Sequence, residues 1–348
     1  MKIIRNRAFV KTIFLVFFIS SIIIFTACSK DNDDEIPFYQ EAIYIMDADG
    51  SNKTKVIDVD GCENVQFIPN SNKLLYLEAK SLYTVNLDGN NKQKISGNYI
   101  VLHDARVEVD KDGNYVYALA QLTEVSAINL FKFNVENYNV MQLSFSNNHN
   151  HVYSFSHSPV TENSFYVQKK DGTYTVRMID EVNQKDSDLY TSENRISGIV
   201  CSQTSNKIFF IEITGRYKSN LYSLSVDSQE LELITNDASK LRSYEMICNE
   251  KYIVFYSFSF NGIKAFDLDE NTFYEIGNVY KPSLGNNDMI IYSNDFDSWG
   301  SIYLQIIGET ETAQLASHGF CPSFSQDSTT IVYVGHYQTN KDVNYITN

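Results

Sequence analysis

A two-part pattern that recurs seven times constrains this chain of 348 residues more than any other feature. The first part is a short alternating run that opens on an apolar or aromatic residue and closes on turn formers. It begins at Ile43 (IYIMDADG), Leu82 (LYTVNLDG), Leu130 (LFKFNVEN), Tyr174 (YTVRMIDE), Leu221 (LYSLSVDS), Ile263 (IKAFDLDE) and Ile302 (IYLQIIGE). The second part is a pair of apolar or β-prone residues followed by an aromatic. It ends at Tyr76, Tyr117, Tyr166, Phe210, Phe255, Tyr292 and Tyr333, at spacings of 41, 49, 44, 45, 37 and 41 residues. A period of this length, with about four short strands per unit, marks the blade of a β-propeller. Alternation within each strand suits sheets whose two faces both pack on neighbouring blades. The chain is therefore predicted to be all-β, a seven-bladed β-propeller over residues 40–348, with six and eight blades as the neighbouring counts.

The two ends of the pattern complete each other. Ile43 has no second part before it, and Ile331 to Tyr333 has no full first part after it. Residues 42–57 are thus expected to supply the outer strands of the blade begun by residues 322–335, closing the ring without an exposed sheet edge. The Asp49-Gly50 pair could instead open a calcium loop. Such a loop needs six or more oxygens with a bidentate acid at its end, and Asn52-Lys53-Thr54-Lys55 offers lysines there. The equivalent Asp88-Gly89, Glu136-Asn137 and Asp227-Ser228 are turn formers, so a hairpin turn is expected at each.

The segments PNSNKLLYLEAKSLYTVNLDGNNKQKIS and PSFSQDSTTIVYVG resemble the repeats of the TolB-type propeller. In that family a Ser-Pro-Asp-Gly turn precedes one strand and an Asp-Gly turn follows the next. The motifs are degenerate here, the first being approximated only by Pro69-Asn70 and Asp112-Gly113, and the resemblance spans residues 40–340. TolB's own amino-terminal α/β domain has no counterpart, so its role in the Tol system is not implied.

The amino-terminal end reads as an address. Lys2, Arg5, Arg7 and Lys11 precede an apolar run from Ile13 to Phe25, too short for a comfortable membrane span. Phe25-Thr26-Ala27-Cys28 resembles the lipobox of bacterial lipoproteins, which implies residues 1–27 as a signal peptide and lipid on Cys28, the membrane anchor. Residues 28–39 form an acidic tether. Lys30 with Asp31, Asp33, Asp34 and Glu35 resembles the export signal of surface lipoproteins in some Gram-negative bacteria, which implies an outer-membrane protein at the cell surface, with the periplasmic face as the alternative. Without residues 1–27 the chain carries 24 basic and 43 acidic side chains, 24 − 43 = −19, a charge that repels phosphate backbones and argues against a nucleic-acid partner.

Chemistry is less legible. His103, His149, His151 and His318 fall between blades, and all six histidines are expected on one face of the ring, where loops on a rigid scaffold carry ligand groups. These four are the weak metal candidates. His149-Asn150-His151 also resembles the His-x-His of propeller-type oligogalacturonate lyases, a manganese-using family, although Ser146 stands where that family has glutamine. Arg216, Tyr217, Trp299, His318 and Phe320 are the candidate binding residues, because exposed aromatics stack on sugars and anchor interfaces. Residues 120–129 and 213–220 read as longer loops on the same face. No nucleophile elbow or phosphate-binding glycine loop appears. The expected function is a monomeric, non-enzymatic binding or scaffold module for protein or glycan, without a cofactor. A metal-dependent lyase or hydrolase with a histidine cluster at the channel mouth is the alternative. Cys62, Cys201, Cys248 and Cys321 allow the pairs 62–321 and 201–248, or four buried thiols.

Overall fold

The alternating runs form strands, and the computed structural model arranges them in seven antiparallel sheets. It describes residues 38–339 except 103–105, 124–125, 148–150, 216–217, 237–244, 257–262, 278–279 and 296–299. Every regular element among the described residues is a β-strand, and residues Gln40–Tyr337 form one compact unit. The innermost strands of blades 1 to 6 are Cys62–Phe67, Val107–Val109, Val152–His157, Arg195–Cys201, Glu245–Cys248 and Tyr280–Leu284. In blade 2 a further short strand, Ile100–Val101, pairs with the same neighbour as Val107–Val109, so the innermost position is split.

Blade 7 closes the ring as expected. Its strands run Gly319–Phe324, Thr330–Thr339, Phe38–Asp47 and Thr54–Val59 from the inside outward, so the amino-terminal strands complete a sheet begun by the carboxy-terminal ones.

The repeated aromatics explain why the pattern is kept. Tyr76, Tyr117, Tyr166, Phe210, Phe255, Tyr292 and Tyr333 all lie in the second strand of their blades, and none is more than 4% exposed. Each buries an area worth about 2 kcal/mol or more against its neighbours. Ile43, Leu82, Leu130, Leu221, Ile263 and Ile302 are buried as well, whereas Tyr174, which opens the fourth copy, stays half-buried.

Two ends of the ring follow from the strand order. The loop face carries the connections between blades and the turns after each second strand. The turn face carries the turns after each first and third strand. Asp49-Gly50 lies in a hairpin turn on the turn face: the Gly50 amide donates to the Asp47 carbonyl at 2.9 Å, and the Ser51 amide to Asp49 Oδ1 at 2.8 Å. Gly89, at φ 81°, meets the blade 7 backbone, where a Cβ would stand 2.2 Å from the Val56 carbonyl oxygen. Residues 213–220 are a correction to the sequence reading. Strands Lys207–Gly215 and Lys218–Ser225 run almost to the tip, so this segment is a hairpin end rather than a long loop.

Candidate functional site

Of the predicted site residues, Cys28, His103, His149, Arg216, Tyr217 and Trp299 lie outside the described residues. His318 and Phe320 are brought together in blade 7. The His318 carbonyl accepts the His336 amide at 3.0 Å, and the rings of Phe320 and His336 are 6.0 Å apart. Glu41 Oε1 stands 3.8 Å from His336 Nε2. Burial lowers the His336 pKa and His318 pushes the same way, against the opposing pull of Glu41.

The histidines do not all share one face. His151, His318 and His336 lie toward the loop face, but His157 ends its strand beside the turn at 158–162, on the turn face. Its ring stacks on Tyr117 at 4.0 Å. His151 enters blade 3 while His318 enters blade 7, so these two metal candidates stand three blades apart. Among the described residues no group of three or more His, Cys, Asp or Glu is arranged to hold a metal. Ser146, at the position of the lyase family's glutamine, accepts a hydrogen bond from Gln168 Nε2 at 2.8 Å.

The structure adds three features that sequence reasoning missed. The first is a strut through the channel. Arg106, just before the innermost strand of blade 2, donates through Nη1 to the carbonyls of Met246 in blade 5 (2.7 Å) and Ile199 in blade 4 (3.3 Å). Its Nε pairs with Glu108 Oε1 at 2.6 Å, and Glu108 Oε2 accepts the His157 amide of blade 3, also at 2.6 Å. One guanidinium and one carboxylate thus join four blades. A cavity of about 330 Å³ remains, lined by Gln66, Glu108, Ser156, Gln203, Ser283 and Ser323 among others. Most of these lie in the later halves of the innermost strands or the turns that follow, so the cavity sits in the half of the channel nearer the turn face.

The second is a buried polar cluster between blades 2 and 3. Glu181 accepts from Lys132 Nζ and Ser164 Oγ at 2.6 Å each and from Tyr117 Oη at 3.3 Å, with His157 Nδ1 3.6 Å away. Burial works to raise the Glu181 pKa, but the hydrogen bonds of His157, Lys132 and Ser164 outweigh it and bring it down to about 2. The same burial, with the Glu181 charge, drives the Tyr117 hydroxyl well above its ordinary value.

The third is two exposed aromatics toward the loop face, one in the connection from blade 2 to blade 3 and one at the start of the innermost strand of blade 3. Phe145 is 79% exposed and Tyr153 46% exposed, in a molecule that buries its other repeated aromatics. Tyr153 lies 6.0 Å from Tyr174, whose ring carries Lys169 Nζ at 5.4 Å. The irregularity between Val152 and Ser154 bulges Tyr153 out of the ladder. Phe145 had a visible signal, an aromatic alone among Ser144, Ser146 and Asn147. Tyr153 had none, since simple alternation would bury it with Phe155.

No protein-family model and no curated protein matches this sequence. Solved structures do. An oligogalacturonate lyase in complex with manganese superposes with a TM-score of 0.60 at 8% identity, covering 87% of this chain and 98% of its own. A TolB from Agrobacterium tumefaciens gives 0.52 at 15% identity, covering 87% of this chain and 100% of its own. The chain has the TolB-like propeller fold. At these identities the likeness concerns the fold alone, and it joins enzymes and TolB proteins on one scaffold.

Proposed function

We propose that this TolB-like propeller is a lipid-anchored module of the outer membrane, displayed on the cell surface, that binds a protein or glycan without catalysing a reaction. Lipid on Cys28 supplies the anchor, and the acidic residues after it direct export. The observation that carries the binding reading is the exposure of two aromatics toward the loop face, Phe145 in the connection from blade 2 to blade 3 and Tyr153 in the innermost strand of blade 3. Rigid aromatics present contact area at little cost in conformational freedom, and the face of a pyranose ring or an apolar side chain can stack on them. His318, exposed at the entry to blade 7, and Phe320 beside it, half-buried against the core, are the other described candidates; Arg216, Tyr217 and Trp299, outside the described residues, are included in the proposal on the sequence alone.

The test pairs a glycan array with capture from outer-membrane extracts. Tyr153→Ala, Phe145→Ala and Trp299→Ala should each weaken capture by about 1–3 kcal/mol with little change in melting temperature. Variants that melt early and bind normally once folded would make these rings packing residues and remove the site. Manganese-dependent cleavage of oligogalacturonate by the purified chain, abolished in His151→Ala, would replace the binding reading with the lyase one. Localisation is separately decided: palmitate should label the wild type and leave Cys28→Ala unlabelled, and protease added to intact cells should remove the propeller. Resistance to protease after replacing Asp31, Asp33, Asp34 and Glu35 with alanine supports export by that run, and equal digestion excludes it.

A further inference from the structure

Blade 7 meets blade 1 across two cysteines. Cys62 opens the innermost strand of blade 1, Cys321 lies in the innermost strand of blade 7, and both are buried in one cluster with Val59, Val65 and Tyr76. Cys321 Sγ stands 3.1 Å from the carbonyl oxygen of Glu63, the residue next to Cys62. Cys62 Sγ stands 3.5 Å from the carbonyl oxygen of Asn64. The two sulfurs therefore lie over consecutive peptide units of one strand. Both are thiols in this structure.

The backbone at Cys321 is unusual. Its φ is 50°, within the irregularity between Phe320 and Ser323 and directly before Pro322. Left-handed backbone is unfavourable for a residue with a Cβ, and the residue before proline prefers the extended region. A bulge re-aims a side chain, and here it leaves the sulfur on the blade 1 backbone. A packing role would be met by any small apolar residue, and glycine would relieve the φ. A cysteine kept in such a position next to a second cysteine points to chemistry between them.

We propose that Cys62 and Cys321 are a disulfide site whose oxidation makes the closure of the ring covalent. In blade 7 the two ends of the propeller are joined by strand pairing and by side-chain contacts such as the Tyr337 hydroxyl on Asp58 and the stacked rings of Tyr44 and Tyr333, none of them covalent. A Cys62–Cys321 bond would close a loop of 321 − 62 = 259 residues, and long loops restrict the unfolded chain most. Cys201 and Cys248 also end neighbouring innermost strands, in blades 4 and 5, but those blades follow one another in the chain. A bond there would leave the seam untouched.

The oxidant is a small disulfide such as oxidised glutathione. The thiolate of one cysteine attacks it, forming a mixed disulfide and releasing one glutathione; the second cysteine thiolate then displaces the other. Two protein thiols and one glutathione disulfide become one protein disulfide and two glutathione thiols, and the protein loses two electrons and two protons. Burial of both sulfurs makes this exchange slow in the closed ring, so it belongs to the stage when blade 7 docks on blade 1.

Refolding the full chain in a glutathione redox buffer, alkylating in denaturant and mapping the peptides tests the site. The peptides bearing Cys62 and Cys321 should appear as one linked species, and dithiothreitol should lower the melting temperature of the oxidised protein by several degrees. Cys62→Ser and Cys321→Ser should melt alike with and without reductant, while Cys201→Ala keeps the shift. Alkylated Cys62 and Cys321 in the wild type after equilibration with oxidised glutathione overturn the proposal, as does a reductant shift that survives in Cys321→Ser. The peptide map needs no variant, so a substitution that fails to fold leaves the decision intact.

Discussion

Blade 7 and the Arg106 strut both hold blade to blade, and they do so by opposite means. Blade 7 uses backbone: four strands from the two ends of the chain pair in one sheet, and its core is the apolar set Ile43, Val332 and Val334 packed with Val65 and Tyr76 of blade 1. The strut uses side chains, one arginine and one glutamate that link four innermost strands through carbonyls and an amide. A sheet spreads its stabilisation over many small contacts, so no single residue in it is decisive. A strut concentrates charge in a partly buried place, where removing one partner leaves the others unsatisfied. Loss of a segment should therefore test the first, and loss of a residue the second.

The largest effect is expected from deleting residues 38–59, which removes the two outer strands of blade 7. Thr330–Thr339 would then present an unpaired edge, and the cluster that spans blades 7 and 1 would lose Ile43 and Val59. The expected outcome is loss of a cooperative thermal transition together with aggregation, read by calorimetry and light scattering. A deleted chain that still melts cooperatively as a monomer would show that six blades close without the seventh sheet.

Next in size is Arg106→Leu. It leaves Glu108 with a single amide partner and two carbonyls without their donor, which should cost about 2–4 kcal/mol in urea unfolding. Arg106→Lys should recover less than half of that, because one ammonium cannot span two carbonyls and a carboxylate with the geometry of a guanidinium. A loss below about 0.5 kcal/mol, the range of surface substitutions, would reduce the strut to an incidental contact.

This comparison also shows what was legible. Blade 7 could be foreseen because its two middle strands carry the two parts of the repeat, so that Ile43 without a preceding partner and Tyr333 without a following one had to meet. Hydrophobic alternation is a property of many residues and survives the degeneration of any one turn motif. Arg106 stands alone before a three-residue strand, and nothing in the run HDARVEVD distinguishes a channel-spanning arginine from a solvated one. Its partners are backbone carbonyls about 90 to 140 residues away, groups that no side-chain pattern records. His157 departs from the expected face for a related reason: which end of the innermost strand it occupies depends on the register with Asn163–Lys170, which pairs His157 with Ser164 at the turn. Tyr153 was hidden by a bulge, which shifts alternation by one residue and leaves no mark in composition.

The smallest expected effect concerns Glu181, and it sharpens the contrast by adding a side-chain tie whose strength can be tuned by pH. Lys132 of blade 2 and Ser164 of blade 3 both donate to this carboxylate, so it joins two blades as the strut does, though over a shorter reach. Its folded pKa is about 2 against an ordinary value of 4.5. Because the folded value is depressed, the unfolded chain binds more protons in between; the stabilisation is complete above pH 4.5 and is lost as pH falls from there toward 2. After allowance for solvent screening the contribution should be about 1–2 kcal/mol. Other carboxylates titrate in the same window, so the measurement is a difference: urea midpoints of wild type and Glu181→Gln from pH 7 down to the lowest pH at which both fold. The gap between them should be widest at neutral pH and shrink as Glu181 protonates, whereas a constant gap would mean that the charge contributes nothing and the glutamate holds the blades by shape and hydrogen bonding alone. Lys132→Met should remove most of the pH dependence as well, since the ammonium it lacks is a principal group favouring the charged carboxylate.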